Sequence, residues 1–498
     1  MRTTTPLIPL DRREGTPLHR QIYRGLREAI LSGRLASGCS VPSTRALAAE
    51  LGLSRNTVQA AYDQLVAEGY LEGRVGAGTR VALALSAKLL GARRERPVRS
   101  GPGGTAPSAS RRGVSLSEAG APGEQDIPTA RAFRPGLPAI DAFPFGIWAR
   151  YVARRVRDAG RLHAGYGDPA GEPALREAIA AHLRATRGLR CEALHVIVTE
   201  STQHTLDLVA RVVLDEGDDL WFEDPGYPRA RAAFAAAGVR PVAVPVDAEG
   251  IEVAQGRRRA PHARGVYVTP SHQYPTGGAL GLARRLELLA WAREAGAWVV
   301  EDDYDSEFRF AGHPLAALQG LDDDGRVLYL GTFSKVMYPS LRVAYLVAPS
   351  SLAAALARAR SATARGCAAP IQAALADFMR DGAFAAHVRR MRALYAERRG
   401  VLLEELHERL AGALEPQASD TGLHVAALLT PELDDRAVSR RAAELGVDAP
   451  ALSAYRLERR GRGGLVLGFA GSTAAEIREG VRSLGKAVAS LTGGGSKR

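Results

Sequence analysis

Lysine is almost missing from this chain. Of its 66 basic residues only four, Lys88, Lys335, Lys486 and Lys497, are lysine, so arginine serves nearly wherever a cation is wanted. Cysteine is scarce as well: Cys39, Cys191 and Cys367 lie far apart and form no CxxC or His/Cys cluster. That excludes a disulfide framework, offers no zinc-ligand spacing, and makes the cytoplasm the expected compartment. No apolar run reaches the ~18 to 20 residues of a bilayer span, and the opening MRTTTPLIPLDRREG lacks an apolar signal core, so a soluble protein with no membrane partner is expected. What the chain does hold is ample core material. Its 498 residues are 46% hydrophobic and 24% charged, a globular balance that excludes wholesale disorder and favours two or more domains. The net charge of +12 is compatible with a nucleic-acid partner, but charge alone does not say where it sits.

Three regions follow from the patterning. Residues 10–82 read as a helical unit closed by a hairpin: Leu18, Ile22, Leu26 and Ile30 recur every four residues on one helix face. VPSTRALAAELG and LSRNTVQAAYDQLVAEG then give two short helices, with Ser43 and Ser54 as N-caps and Gly52 and Gly69 as stops. YLEGRVGAGTRVAL adds two β-prone pieces about a Gly-rich turn. Residues 83–130, rich in Ala, Gly, Ser, Pro and Arg, are expected as a flexible basic linker, a solvated tether whose arginines could also skim phosphates. In 131–498, strand-length apolar runs at 195–199, 218–222, 241–246, 265–269, 297–301, 326–330 and 342–347 alternate with helical stretches. This predicts an α/β domain with a mainly parallel sheet and its ligands at the carboxyl ends of strands.

Two helices joined by a tight turn and followed by a wing are what a DNA reader needs. The second helix offers Arg55 for guanine or phosphate, Asn56 for adenine and Thr57 for a phosphate or thymine methyl, behind the Ser54 cap. Ser43 and Arg45 on the preceding helix, and Arg74, Thr79 and Arg80 in the wing, would face the backbone or minor groove. SRNT by itself would also suit an ordinary capped helix; the order of helix, helix-turn-helix and wing favours DNA. PSTRALAAELGLSRNTV and EGYLEGRVGAGTRV resemble a GntR-type winged helix, which implies operator binding, normally as a dimer.

The rare lysines now matter. In GTFSKVMYPSLR, Lys335 follows a predicted strand, and an amine, unlike a guanidinium, can lose its proton and form a Schiff base. A pyridoxal cofactor needs such a lysine, a carboxylate for its ring nitrogen, a partner for its phenolic oxygen and donors for its phosphate. EDDYDSEF offers Asp302 and Tyr304, although such an acidic cluster also suits a magnesium site or a solvated loop. Thr332, Ser334 and Arg342 can ligate phosphate, and Ser201, Thr202 and Gln203 stand where a strand runs into a helix N-terminus. In EDPGYPRAR, Tyr227 can stack on a ring or be a partly buried loop aromatic, while Arg229 points toward an anionic ligand.

GYGDPAGEPALREAIAAHLRATRG, EDPGYPRAR, TPSHQYPTGG, EDDYDSEFR and GTFSKVMYPSLR together resemble the fold type I aminotransferase domain, from about residue 133 to 490. Joined to the winged helix, they make the chain resemble a MocR-type regulator. The resemblance implies pyridoxal 5'-phosphate with Lys335 as the internal aldimine lysine, Asp302 and Tyr304 on the ring, Tyr227 stacking, and Ser201, Thr202, Thr332, Ser334 and Arg342 about the phosphate. It also implies a head-to-tail homodimer in which Tyr166 reaches the partner's cofactor. Two positions depart from the aminotransferase pattern. Tyr274 stands where Asn commonly contacts the phenolic oxygen, and Val466 aligns with the arginine that pairs with a substrate carboxylate, unless Arg229, Arg456, Arg459 or Arg462 compensates. A transcriptional regulator rather than an enzyme is therefore expected, responding to pyridoxal phosphate itself in control of vitamin B6 synthesis, or to an amino acid or amine. An active aminotransferase and an empty cofactor domain serving only as a dimeriser are the remaining alternatives.

Overall fold

Ile22, Leu26 and Ile30 are completely buried on one face of α1 (Leu18–Leu31), as their four-residue spacing predicts. The computed structural model describes residues 10–12, 15–74, 78–83, 109–110, 113–114, 131–158, 165–311, 315–364, 366–458 and 461–492. The chain divides into two compact units, Met1–Ser108 and Ala109–Arg498. The expected linker lies almost wholly outside the described residues.

In the first unit, α1 shares a core with α2 (Thr44–Leu51) and α3 (Arg55–Ala67) through Leu47, Val58 and Leu65. Each such buried aliphatic side chain contributes about 1.5–3 kcal/mol. The caps fall where the hydroxyls were expected: Ser43 Oγ accepts from the Ala46 amide and Ser54 Oγ from the Thr57 amide, both at 3.2 Å. Gly52 ends α2 at φ +62°, a left-handed conformation that glycine adopts without penalty. The buried Tyr62 hydroxyl donates to the Pro42 carbonyl at 2.8 Å and fixes α3 against the entry to α2. The wing is the antiparallel pair β1 (Leu71–Arg74) and β2 (Gly78–Val81), with Leu71 opposite Val81.

In the second unit an eight-stranded sheet runs in the order β3-β10-β9-β8-β7-β4-β5-β6. Its strands are β3 (Val196–Thr199), β4 (Asp219–Asp224), β5 (Arg240–Asp247), β6 (Gly250–Ile251), β7 (Gly265–Val268), β8 (Trp298–Asp303), β9 (Val327–Thr332) and β10 (Ala344–Val347). Apolar clusters cover both faces, so alternate residues of one strand enter different cores: Leu220 and Phe222 one, Trp221 the other, where it stacks on Trp291 at 3.6 Å. Strands β5, β4, β7, β8 and β9 are mutually parallel, whereas β10 runs antiparallel to both of its neighbours. The reversal has a local cause. Residues 333–343 between β9 and β10 contain only the 3-10 turn Pro339–Leu341, and a parallel return would need a longer crossover.

A separate antiparallel sheet, β11 (Leu414–Pro416), β12 (His424–Leu429) and β13 (Gly464–Gly468), lies among the helices Ala383–Leu410 and Ala474–Thr492. The backbone joins the start of this unit to it, Ala132 bridging to Val447 and Phe133 to Gly468. Among the described residues no helix is long and apolar enough to cross a membrane.

Candidate functional site

The carboxyl ends of β3, β4, β7, β8 and β9 open onto one cavity of about 290 Å3. It is lined by Ser201, Thr202, Gln203, Tyr227, Arg229, Asp302, Tyr304, Thr332, Ser334, Lys335 and Arg342, so these sequence-predicted residues meet in one place. Tyr166 does not join them: it is 82% exposed and lines a second cavity of about 190 Å3 beside Arg360 and Cys367.

The acidic string at the end of β8 resolves into four environments. Glu301 accepts from the Leu318 and Gln319 amides at 2.9 and 3.0 Å. Asp303 is paired to Arg187 at 2.9 Å and accepts from the Tyr329 hydroxyl at 2.6 Å. Asp305 faces His272. Asp302 alone of the four lines the cavity; its Oδ2 accepts from Tyr267 at 2.7 Å, while its buried Oδ1 has no partner among the described residues. Burial raises the Asp302 carboxyl to about 7. A buried acceptor without a donor carries a free-energy penalty that a ligand N–H would remove.

Lys335 is half-buried, and loss of solvent around its amine lowers its pKa, with Arg229 acting in the same direction against Asp305 and Asp302. Its Nζ donates to the Gly136 carbonyl at 2.9 Å. Gly136 holds φ +75°, which favours glycine, and a β-carbon there would lie 2.7 Å from Lys335 Nζ and push the amine aside. Toward the start of the helix Thr202–Val213, Ser201 Oγ accepts from the His204 amide at 3.1 Å, and Thr332 Oγ1 accepts from the Ser334 amide at 3.1 Å. Each hydroxyl used as an acceptor keeps its own hydrogen to donate. Arg342 holds φ +54°, an uncommon conformation for a non-glycine residue, and its carbonyl accepts from Cys367 Sγ.

Aromatic rings form one wall. Tyr274 makes edge contacts with Tyr227, Tyr304, His424 and Tyr455 at centroid distances of 5.2–5.7 Å. His272, Asp305 and His424 bring donor atoms within 4.8 Å of one another. They are closed by hydrogen bonds, His272 with Asp305 and His424 Nε2 with the Pro275 carbonyl at 3.1 Å.

The winged helix exposes Ser43, Arg45, Ser54, Arg55 and Asn56, with Thr57 and Thr79 half-buried. Thr57 Oγ1 lies 2.8 Å from Ser54 Oγ. Arg80 is half-buried, its Nε enclosed without a partner. The side chain of Arg74 and the wing tip at 75–77 lie outside the described residues.

Comparison with known proteins matches both units. Residues 18–81 match the family of bacterial regulatory proteins, gntR family, and residues 147–484 match aminotransferase class I and II. Over 490 residues the chain is 43% identical to the probable rhizopine catabolism regulatory protein MocR of Rhizobium meliloti, covering 98% of this chain and 97% of that protein. The chain belongs to the MocR-type transcriptional regulators. Another relative of this MocR-type chain is the HTH-type pyridoxine biosynthesis transcriptional regulator PdxR of Corynebacterium glutamicum, 34% identical over 93% of this chain and 94% of that one. Among solved structures, LysN, the alpha-aminoadipate aminotransferase of Thermus thermophilus complexed with N-(5'-phosphopyridoxyl)-L-leucine, superposes with a TM-score of 0.70 and 30% identity. That match covers 76% of this chain and 98% of LysN.

The MocR-type chain departs from the sequence expectation at its cations. Val466 is fully buried with Leu452 and Tyr455 and does not line the cavity. Of the arginines considered as substitutes for it, Arg456 donates to the Arg462 carbonyl and Arg462 pairs with Glu415, both away from the cavity; Arg459 lies outside the described residues. Arg229 does line it, and so does Arg134, which sequence reasoning missed. Gly136, Tyr267, His272 and His424 were missed too. The available signals were the Pro135-Gly136 pair and a single hydroxyl, Tyr267, inside an otherwise apolar strand.

Proposed function

We propose that this MocR-type regulator holds pyridoxal 5'-phosphate on Lys335 and uses its occupancy to control operator binding by the winged helix. The observation that carries the reading is a half-buried lysine sharing one cavity with a buried carboxylate oxygen that lacks a donor among the described residues. The residues fit the cofactor. Asp302 Oδ1 would accept from the ring N–H, Tyr227 would cover the ring face, and Tyr304 would donate to the phenolic oxygen. The phosphate would take hydrogen bonds from Ser201, Thr202, Gln203, Thr332 and Ser334 and a charged pair from Arg342. When bound, the cofactor supplies an aldehyde that condenses with amines. In a head-to-tail homodimer, the exposed Tyr166 would reach the partner's site. On double-stranded operator DNA, Arg55, Asn56 and Thr57 would read base edges while Ser43, Arg45, Ser54, Arg74 and Thr79 hold the backbone. The protein would act in the cytoplasm as a regulator rather than an enzyme.

With Val466 in an apolar cluster, the cofactor itself is the favoured signal, in keeping with control of vitamin B6 synthesis. A second reading, an amino acid or amine as effector, is supported by Arg134 and Arg229 on the same cavity.

The test is the visible spectrum of the cofactor-loaded protein with borohydride reduction. Lys335→Ala is expected to abolish the reducible adduct; an adduct that survives at full occupancy overturns the assignment. Titration with amino acids and amines separates the signals. A stable spectral change without turnover identifies an amine effector, conversion to the pyridoxamine form identifies a transaminase, and no response leaves the cofactor as the signal.

A further inference from the structure

His272 and Asp305 lie behind Tyr304, which lines the cavity, are each only 1% exposed, and have no part in the roles above. The two carboxylate oxygens of Asp305 lie 3.1 and 3.0 Å from His272 Nδ1. The Tyr304 hydroxyl lies 2.8 Å from the same nitrogen and 3.0 Å from the His272 carbonyl oxygen. The Leu423 amide donates to Asp305 Oδ2 at 3.2 Å. A β-carbon on Gly422 would fall 2.0 Å from His272 Cε1 and 2.7 Å from Asp305 Oδ2, so only glycine lets that segment close over the pair.

Elementary valence places the hydrogens. An ionised carboxylate only accepts, so Nδ1 carries the ring hydrogen. Nε2 is enclosed with no partner among the described residues, and a second ring N–H there would be buried without an acceptor. The Nδ1–H is then shared between Asp305 and the Tyr304 oxygen. The hydroxyl hydrogen of Tyr304 then points to an acceptor, here the His272 carbonyl. An acceptor in the cavity competes for the same hydrogen. Hydrogen bonds in such a chain polarise one another, and each donor strengthens the next.

We infer that His272, oriented by Asp305, is a positioning residue that makes Tyr304 a stronger donor into the cavity. The inference rests on the reading that the cavity takes pyridoxal phosphate, whose phenolic oxygen is the acceptor. It also gives the Tyr274 departure a consequence: with tyrosine in place of the amide-bearing asparagine, Tyr304 bears that oxygen's hydrogen bonding, and His272 backs it. The other ionisable groups facing this pair and Tyr304 include Asp302, Asp303, Glu223, Glu307, Tyr274, His424 and Lys335, all left in place by the test.

The test is a pH titration of the visible chromophore in the full-length, cofactor-loaded protein. A weaker donor leaves more negative charge on the phenolic oxygen, which then holds the proton it shares with the lysine nitrogen more tightly. His272→Phe is expected to raise the chromophore's apparent pKa by about one unit, a tenfold change in proton affinity. His272→Asn, whose amide nitrogen can stand where Nδ1 stands, is expected to restore the wild-type value. His272→Gln, with its amide at the Nε2 position, is expected to shift like Phe and replaces it if the Phe variant does not fold. In a Tyr304→Phe background the same substitutions are expected to change nothing further. A wild-type value in both Phe and Gln variants, or a shift that persists without the Tyr304 hydroxyl, overturns the inference. Wild-type protein with no borohydride-reducible chromophore overturns the cofactor reading instead.

Discussion

Asp302 shows what a sequence conceals about a single side chain. EDDYD offers four carboxyls, and position after a strand is enough to single out Asp302. Strand alternation then sends Glu301 and Asp303 to one face of the sheet and Asp302 to the other, under Tyr267. That Oδ1 would be left without a donor is set by the packing of β7 beside β8 and is not written locally. The consequence is measurable in cofactor-free protein. Because burial raises Asp302 to about 7, the folded state holds a proton there that the unfolded chain releases near pH 4. Its contribution to stability is present at low pH and is lost as pH rises through about 7, a loss on the order of 3 kcal/mol between pH 5 and 8. Burial raises Glu223 and Glu301 to about 7 as well, and they act in the same direction. Urea unfolding across that range is expected to show falling stability in wild type and a shallower fall in Asp302→Asn, whose amide does not titrate. An identical pH dependence in the two proteins would show that Asp302 is not the protonated group.

The elements were legible to the extent that their signals are local. The Ser54 hydroxyl, three residues before an amide it can accept from, marks the start of α3 in sequence and does so in the structure. Ser54→Ala is expected to cost about 1 kcal/mol of stability in chemical denaturation. All seven apolar runs named from sequence became strands, within a few residues at each end. Direction was not legible for β10, since a strand buried on both faces has the same composition whether it runs with or against its neighbours. The two-residue β6 is too short to carry any periodicity, and β11, with its proline, reads as no strand at all. The three-stranded sheet that β11 helps to frame became visible only once the chain was folded.

For the molecule as a whole, a net charge of +12 on a chain with a gntR-family unit is expected to make its DNA affinity a function of ionic strength. Arg55, exposed at the start of α3, is expected to carry one such contact. Arg55→Ala is expected to weaken operator binding and, if the contact is to phosphate, to reduce the slope of log affinity against log salt by about one. Unchanged affinity and slope would place Arg55 off the DNA. The second unit has its own long-range connection. Lys335 sits at the end of β9 in the large sheet, yet its ammonium donates to Gly136, in a segment whose backbone bridges to the small sheet at Gly468. That hydrogen bond is a latch across two halves of the unit, made by the same nitrogen the cofactor would claim. If Lys335 held the cofactor's aldehyde, its nitrogen would have fewer hydrogens to offer, and binding would compete with this hydrogen bond. Occupancy would therefore be felt at the segment that ties the large sheet to the small one.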